Sequence, residues 1–476
     1  MLVFSLSFSS NLHSQRVENT TLQIPVEKDD LPLLLSETGL FKDLQTLEVE
    51  DGILPYEPNV TFWSDHAIKK RWVYIPHEEQ IGYSLNRGWD FPEGSVWVKH
   101  FDLEMERGNP ESREKIETRL LVKTSFGVYG VSYIWNEDKT DATLVGDDAV
   151  ALEYDIVDES GVSRKQQWAI PSRNECLVCH VPAGGLALSF NTRQLNKEMV
   201  VNGSQVNFLQ YLGESGILDT EFEVPEVQPR FSNIDDTDYS LDHRARSYLA
   251  VNCAYCHAPG GGPESDPFDA RPHRNLDRSG LLDENRLVLD YGVADVDFLV
   301  ERGDHEHSAV WLKMAGADGI DRMPPLATFE RDFAGEDLIE RWINETLAGY
   351  LTFDEWQEAT FVDANALEAD WNQDPDGDGD INEIEFLNRT NPNDYQDHSR
   401  IAMTLVEDGY RVVQKASEYA DYQLEVSEDF VTWELLELEA NSPRTLPEGE
   451  SEIEVVLPVL DEVGPAKFVR SRVGER

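Results

Sequence analysis

Apolar and polar residues alternate with a period of two in short runs through the first third of the chain, as in Arg71-Trp72-Val73-Tyr74-Ile75, Ser95-Val96-Trp97-Val98-Lys99 and Leu120-Leu121-Val122. Alternation of this kind sends successive side chains to opposite faces of a strand. With Val, Trp and Tyr enriched and Gly88, Gly94, Gly127 and Gly146 between the runs, it predicts an antiparallel β domain over 31–170. Downstream the period lengthens. Residues 192–200 and 204–212 read as two short helices, 241–252 as a longer one and 336–345 as an amphipathic helix. A prolyl and acidic stretch over 221–238 divides the two helical regions. Alternation returns at Tyr422-Gln423-Leu424-Glu425-Val426-Ser427 and Phe468-Val469-Arg470, which predicts a small β module over 400–476. The fold class expected is therefore multidomain α+β: an N-terminal antiparallel β domain, a small helical module over 171–220, an all-α domain over 239–350, a segment over 352–396 and a β-sandwich-like module at the end.

Length and charge narrow the picture. A chain of 476 residues exceeds what one core usually organises. Its formal net charge of −52 repels nucleic acid and anionic membranes, and suits either a basic protein partner or simple solvation of the surface. No stretch approaches the eighteen consecutive apolar residues that a spanning helix needs. The short apolar and serine run Leu2 to Phe8, followed by Leu12-His13-Ser14, reads as a leader over 1–14 and so as export to the periplasm or cell surface.

All four cysteines fall in two short runs, Cys176-Leu177-Val178-Cys179-His180 and Cys253-Ala254-Tyr255-Cys256-His257. Two thiols three positions apart can bond the two vinyl groups of one porphyrin while the adjoining histidine ligates its iron, so C-x-x-C-H signals covalent haem attachment. A four-thiolate zinc site sets its C-x-x-C pairs roughly 15–20 residues apart. Here more than seventy residues intervene. A thioredoxin-like pair gives no reason for histidine to follow the second cysteine twice. Two haem c groups are expected, on Cys176 and Cys179 with His180, and on Cys253 and Cys256 with His257.

Around the second motif the order helix, C-x-x-C-H, a loop with Arg322-Met323-Pro324-Pro325 and a closing helix resembles a class I cytochrome c domain. The resemblance implies that 239–350 is all-α and that Met323 is the sixth ligand of haem 2. A soft thioether prefers Fe(II) and raises the potential, although methionines are commonly core filler and Met314 lies nearby. No such loop serves haem 1. Met199, and His100 on a predicted strand, are the candidates for its sixth position.

Across 31–350 the chain also resembles an uncharacterised family of exported dihaem c-type cytochromes with a β-rich N-terminal region. The residues that carry this are Phe62-Trp63-Ser64-Asp65, Phe91-Pro92-Glu93-Gly94, Glu117-Thr118-Arg119, the two haem motifs and Met323-Pro324-Pro325. Members are often found with sugar-dehydrogenase-like proteins. The resemblance implies electron transfer from an exported sugar- or alcohol-dehydrogenase-like enzyme to a downstream acceptor. The alternatives are a dihaem peroxidase or oxidase with haem 1 as its reactive site, and a surface scaffold component.

A different chemistry appears at Asp374-Pro375-Asp376-Gly377-Asp378-Gly379-Asp380-Ile381-Asn382-Glu383-Ile384-Glu385. Oxygen donors at positions 1, 3, 5 and 12, glycine at 6 and an apolar residue at 8 follow the twelve-residue calcium loop, with Asp380 at position 7 donating its carbonyl. One Ca2+ is expected, on Asp374, Asp376, Asp378, Asp380 and Glu385. The stretch from Phe353-Asp354-Glu355-Trp356 to Thr390-Asn391-Pro392 resembles a linker unit of Verrucomicrobia-like exported proteins, in which a small β module often follows.

Overall fold

The computed structural model describes residues 16–28, 30–201, 203–222, 228–261, 268–274, 276–282, 296–316, 320–326, 328–388 and 390–398, and the strands between 402 and 475. The leader expected at 1–14 lies outside these residues.

The N-terminal part is built on a six-stranded antiparallel sheet of Ile53–Pro55 (β1), Ile68–Tyr74 (β2), Val96–Glu104 (β3), Arg113–Lys123 (β4), Val128–Trp135 (β5) and Ala142–Leu144 (β6), each hydrogen-bonded to the next. A hairpin of Val150–Val157 (β7) and Ser163–Ile170 (β8) follows. Period two sorts the side chains of β2 to β5. Trp72, Val98, Leu120 and Val131 enter one core with Leu35, Leu40 and Tyr133. Val73, Trp97 and Leu121 point the opposite way, into a second core. That second core is shared with Phe190, Leu195, Phe208, Leu209 and Leu212, so the region after the first haem motif packs on the sheet instead of standing alone.

Two parts of the expected fold class are corrected. The first haem module is not purely helical. Glu198–Val201 and Ser204–Asn207 pair as an antiparallel hairpin, with Val201 opposite Ser204, followed by a helix at Phe208–Glu214. The sequence reason is Val200-Val201-Asn202-Gly203, β-branched residues running into Asn-Gly, with Gly203 at φ +81° as a primed two-residue turn requires.

Nor is 239–350 an all-α cytochrome domain. The helices Leu241–Asn252 and Phe333–Arg341 are present, with a π-helical turn at Trp342–Thr346 after the latter. Between them, among the described residues, lie short 3₁₀ turns, β-bridges joining Phe298 to Ser308 and Glu301 to Asp304, and the two-turn helix Ala309–Ala315. The chain is mixed α+β. The physical cause is composition: Gly260, Gly261, Pro272 and the polar residues near them offer no 3.6-residue apolar repeat.

The core of this region also runs past the boundary expected at 350–352. Leu249, Leu338, Trp342 and Leu347 pack in one cluster with Trp356, Phe361, Phe386 and Leu387 of the calcium-loop segment. Arg302 pairs with Glu355, and Asp277 accepts a hydrogen bond from the Phe353 amide, both across the same seam. At the C-terminus, strands Ala402–Val406, Gly409–Ala416, Ser451–Pro458 and Arg444–Thr445 form one antiparallel sheet, and Glu434–Leu435, Ala420–Ser427 and Phe468–Glu475 another. No helix among the described residues is long and apolar enough to cross a membrane.

Candidate functional site

The first motif sits on the helix Arg173–Cys179. Its start is fixed by a capping box: the Glu175 amide donates to the Ser172 hydroxyl at 3.2 Å and the Ser172 amide donates to the Glu175 carboxylate at 2.7 Å. The helix lies against β5, where Gly130 makes the approach possible. A Cβ at Gly130 would stand 2.8 Å from the Cys176 sulfur. At the helix end, His180 holds its Nδ1 2.5 Å from the Leu186 carbonyl. A carbonyl can only accept, so Nδ1 carries the proton and Nε2 keeps its lone pair. Burial pulls the imidazole down to about 4, so at neutral pH the ring is the uncharged form that metals require.

The second motif continues directly from Leu241–Asn252, with the Cys253 amide donating to the Leu249 carbonyl at 2.8 Å and the His257 amide to the Cys253 carbonyl at 2.8 Å. Cys253, Cys256 and His257 line a largely apolar cavity of about 260 Å³, open at one side, with Tyr248, Met314, Met323 and Pro324. Both candidate thioethers are in its wall, so the structure brings Met323 to the second C-x-x-C-H motif and brings Met314 there too. Burial raises the Cys253 thiol to about 12.

The two motifs meet. The thiols of Cys179 and Cys256 are neighbours, and their interaction draws Cys256 below the usual thiol range and pushes Cys179 above it. Val178, from the first motif, lines the cavity of the second. The N-terminal segment Phe62-Trp63-Ser64-Asp65 closes the junction. The Trp63 amide donates to Asn252 at 2.9 Å and its indole to the Glu330 carbonyl at 3.0 Å. The Asp65 carboxylate accepts from the amides of Phe329 and Glu330 at 2.8 and 3.0 Å. Phe62 packs 5.6 Å from Tyr255, one of the two residues between Cys253 and Cys256 in the second motif. These four residues were legible in the sequence only as a recurring string, because a loop that clamps two regions has no local period.

The two residues considered for the sixth position at the first motif sit in different settings. His100 is fully buried with both ring nitrogens engaged, Nδ1 with Thr118 at 2.8 Å and Nε2 with Asp102 at 3.0 Å. It shares the strand face of Thr118 and Trp135, opposite to the face on which Lys99 lies beside His180. That corrects its reading as an iron ligand. Met199 packs from the hairpin onto the apolar cluster around Phe190 and Phe208. What sequence reasoning missed is cationic: Lys69, Arg71, Lys99 and Arg119 occupy neighbouring positions on β2, β3 and β4, on the face turned to Cys176, Cys179 and His180.

At the acidic loop, carboxylate oxygens of Asp374, Asp376 and Asp378 all lie within 4.8 Å of one another. Gly377 and Gly379, at φ +76° and +106°, let the backbone curl so that their amides donate to Asp374. Asp380 directs its amide to Asp378 at 2.8 Å, inside the same curl. Glu385 is 0 % exposed, and neither of its oxygens has a hydrogen-bond partner. Burial, then the charges of Asp376 and Asp378, raise it to about 8. A buried carboxylate that finds no donor is costly, and a hard cation is the group whose chemistry fits this donor set. Comparison with known protein families, curated proteins and solved structures finds no match for this chain.

Proposed function

We propose that the chain is an exported dihaem c-type cytochrome that carries electrons between a redox partner and a downstream acceptor. The observation that supports it most is the meeting of the two C-x-x-C-H motifs at Cys179 and Cys256. The sulfur that anchors one porphyrin edge then adjoins the sulfur that anchors the other. Haem, when attached, supplies one-electron chemistry with no need of a general acid, base or nucleophile.

The residues around it have definite work. Cys176 with Cys179, and Cys253 with Cys256, anchor the two groups. The Leu186 carbonyl orients His180, leaving Nε2 toward the iron. Met323, backed by Pro324, offers a soft sixth ligand at haem 2, and Tyr248 and Trp63 exclude water from the same cavity. The calcium loop, through Glu385 and the three aspartates, fastens the segment that completes the core of this region. An acidic surface of net charge −52 favours a basic face on the partner, a dehydrogenase-like enzyme among the candidates, and disfavours nucleic acid.

The deciding experiment is a potentiometric titration of the purified protein followed by electron paramagnetic resonance. Two one-electron steps with magnetic interaction between two low-spin ferric centres are expected. Two isolated, non-interacting signals, or rapid turnover of peroxide at a high-spin centre, would sink the carrier reading.

A further inference from the structure

Arg71, Lys99 and Arg119 are in direct register across three neighbouring strands, Arg71 opposite Lys99 and Lys99 opposite Arg119, and Lys69 follows two residues from Arg71 on the same face. Directly opposed side chains on antiparallel strands stand roughly 5 Å apart, and like charges there are destabilising. The chain has 40 Lys and Arg against 92 Asp and Glu, so gathering four cations in one place runs against its own composition.

Arg119 is balanced by Glu117, but the local acids leave Lys69, Arg71 and Lys99 unpaired. Glu117 is fully buried, but its two oxygens are taken by Arg119, and one of them also accepts from the Trp168 indole at 2.9 Å. Asp65 is occupied by two backbone amides. Glu57, the acid facing Arg71, is largely exposed and sits beside Lys197. Lys69 donates only to the Phe62 carbonyl, at 2.6 Å. Lys99 lies over the rings of Phe62 and Phe101 at 5.7 and 5.0 Å. Arg71 is 5 % exposed and meets no carboxylate or carbonyl among the described residues. Burial draws Lys69 down to about 7 and Lys99 well below its usual range, as expected of ammonium groups for which the protein supplies no counter-charge.

We propose that Lys69, Arg71, Lys99 and Arg119 form an oxyanion-binding ladder beside the first C-x-x-C-H motif, taking carboxylates of the haem attached there. The inference rests on haem attachment at Cys176 and Cys179. Arg71 presents a planar fork that suits a carboxylate, the lysines add point charge, and Arg119, bidentate on Glu117, adds the charge of its remaining guanidinium edge. A haem c carries two carboxylates that must be desolvated along with it. A free oxyanion has the same chemistry and is the other source.

The test uses the full-length holoprotein, with covalent haem counted by mass. Lys99→Met is expected to keep both haems, to lower the midpoint potential of haem 1 while leaving that of haem 2 unchanged, and to lower the thermal midpoint. Lys99→Arg should restore both. Thermal stability separates the ideas by sign: with no anion bound, Met in place of Lys99 removes an amine buried without a counter-charge and raises the melting temperature. Inorganic phosphate assigns the source. Saturable perturbation of the haem 1 spectrum in the wild type, abolished in Arg71→Gln, points to a free oxyanion; no response to phosphate together with the lowered potential points to the haem carboxylates. An unchanged haem 1 potential with unchanged or raised stability overturns the ladder, whereas a wild type carrying fewer than two haems overturns the reading beneath it.

Discussion

Individual residues set the properties of each centre. Met314 and Met323 both line the second cavity, and only one can occupy an axial position. Met323→His should lower the midpoint potential of haem 2, within the span of roughly 0.8 V that axial ligation commands. Met314→Leu should leave it in place, and a spectroelectrochemical titration of both variants decides between the two sulfurs. At the junction, Asp65 accepts two backbone amides that no other carboxylate reaches. Asp65→Ala leaves both unpaired, at about 1–3 kcal/mol each, and should be seen as a lower denaturation midpoint with faster hydrogen exchange at Phe329 and Glu330.

Much of this scale was legible in the sequence, since C-x-x-C-H and the calcium loop are local spacings. His100 was misplaced because its neighbour decides it: the same strand offers Lys99 to one face and His100 to the other, and no run of residues says which face will carry the haem. The ladder had a readable signal after all. Arg71, Lys99 and Arg119 each lie two residues from an apolar side chain on the inward parity, namely Val73, Trp97 and Leu121, and a charge at such a position is unusual without a partner.

At the scale of elements, packing distances govern. The helix Arg173–Cys179 can reach β5 only because position 130 has no side chain. Gly130→Ala should push the helix off the sheet and reduce covalent haem from two groups to one, with haem 2 retained, as measured by intact mass. The calcium segment shows the opposite dependence, an element held by charge. Without a cation, Glu385 titrates near 8 in the folded chain against about 4.5 when unfolded. The native state therefore binds more protons between those values, and stability falls as pH rises through that window. Chelated protein should lose thermal stability from pH 5 to pH 8, whereas calcium-loaded protein should not. Saturating calcium at a hundred times its Kd adds about 2.7 kcal/mol, and Asp376→Ala should abolish that gain. Helix Leu241–Asn252 was foreseen, but the hairpin at Glu198–Val201 was not: its strands are four residues long, below the length at which period two separates from period 3.6.

Across the whole molecule, cores ignore the expected boundaries. The sheet shares a core with the first haem module, and the second haem region shares one with the calcium segment. Trp342 is fully buried in the latter, its indole donating to Asp242 at 2.8 Å. Trp342→Ala should cost about 3–5 kcal/mol and unfold the haem 2 and calcium regions in one transition, visible as coincident loss of the haem absorbance and of calcium binding. Such long-range merging leaves no trace in local pattern, which is why 239–350 and 352–396 looked separable. At the same scale, reduction by a basic partner should slow steeply as ionic strength rises from 10 to 150 mM, because roughly 10 Å of screening length removes most long-range attraction.

The closeness of Cys179 and Cys256 also imposes a schedule on biosynthesis. On the proposed export to an oxidising compartment, two neighbouring thiols are a ready substrate for a thiol oxidant, which would take two electrons and two protons and leave a covalent tie between the wrong partners. Attachment must therefore outrun oxidation, and the chain is expected to be vulnerable in the interval between export and maturation. In haem-starved cells a fast-migrating species should accumulate on non-reducing gels, and Cys256→Ser should prevent it. Its absence would mean that the thiols meet only after the first haem is in place, so that maturation runs from the N-terminal motif to the second.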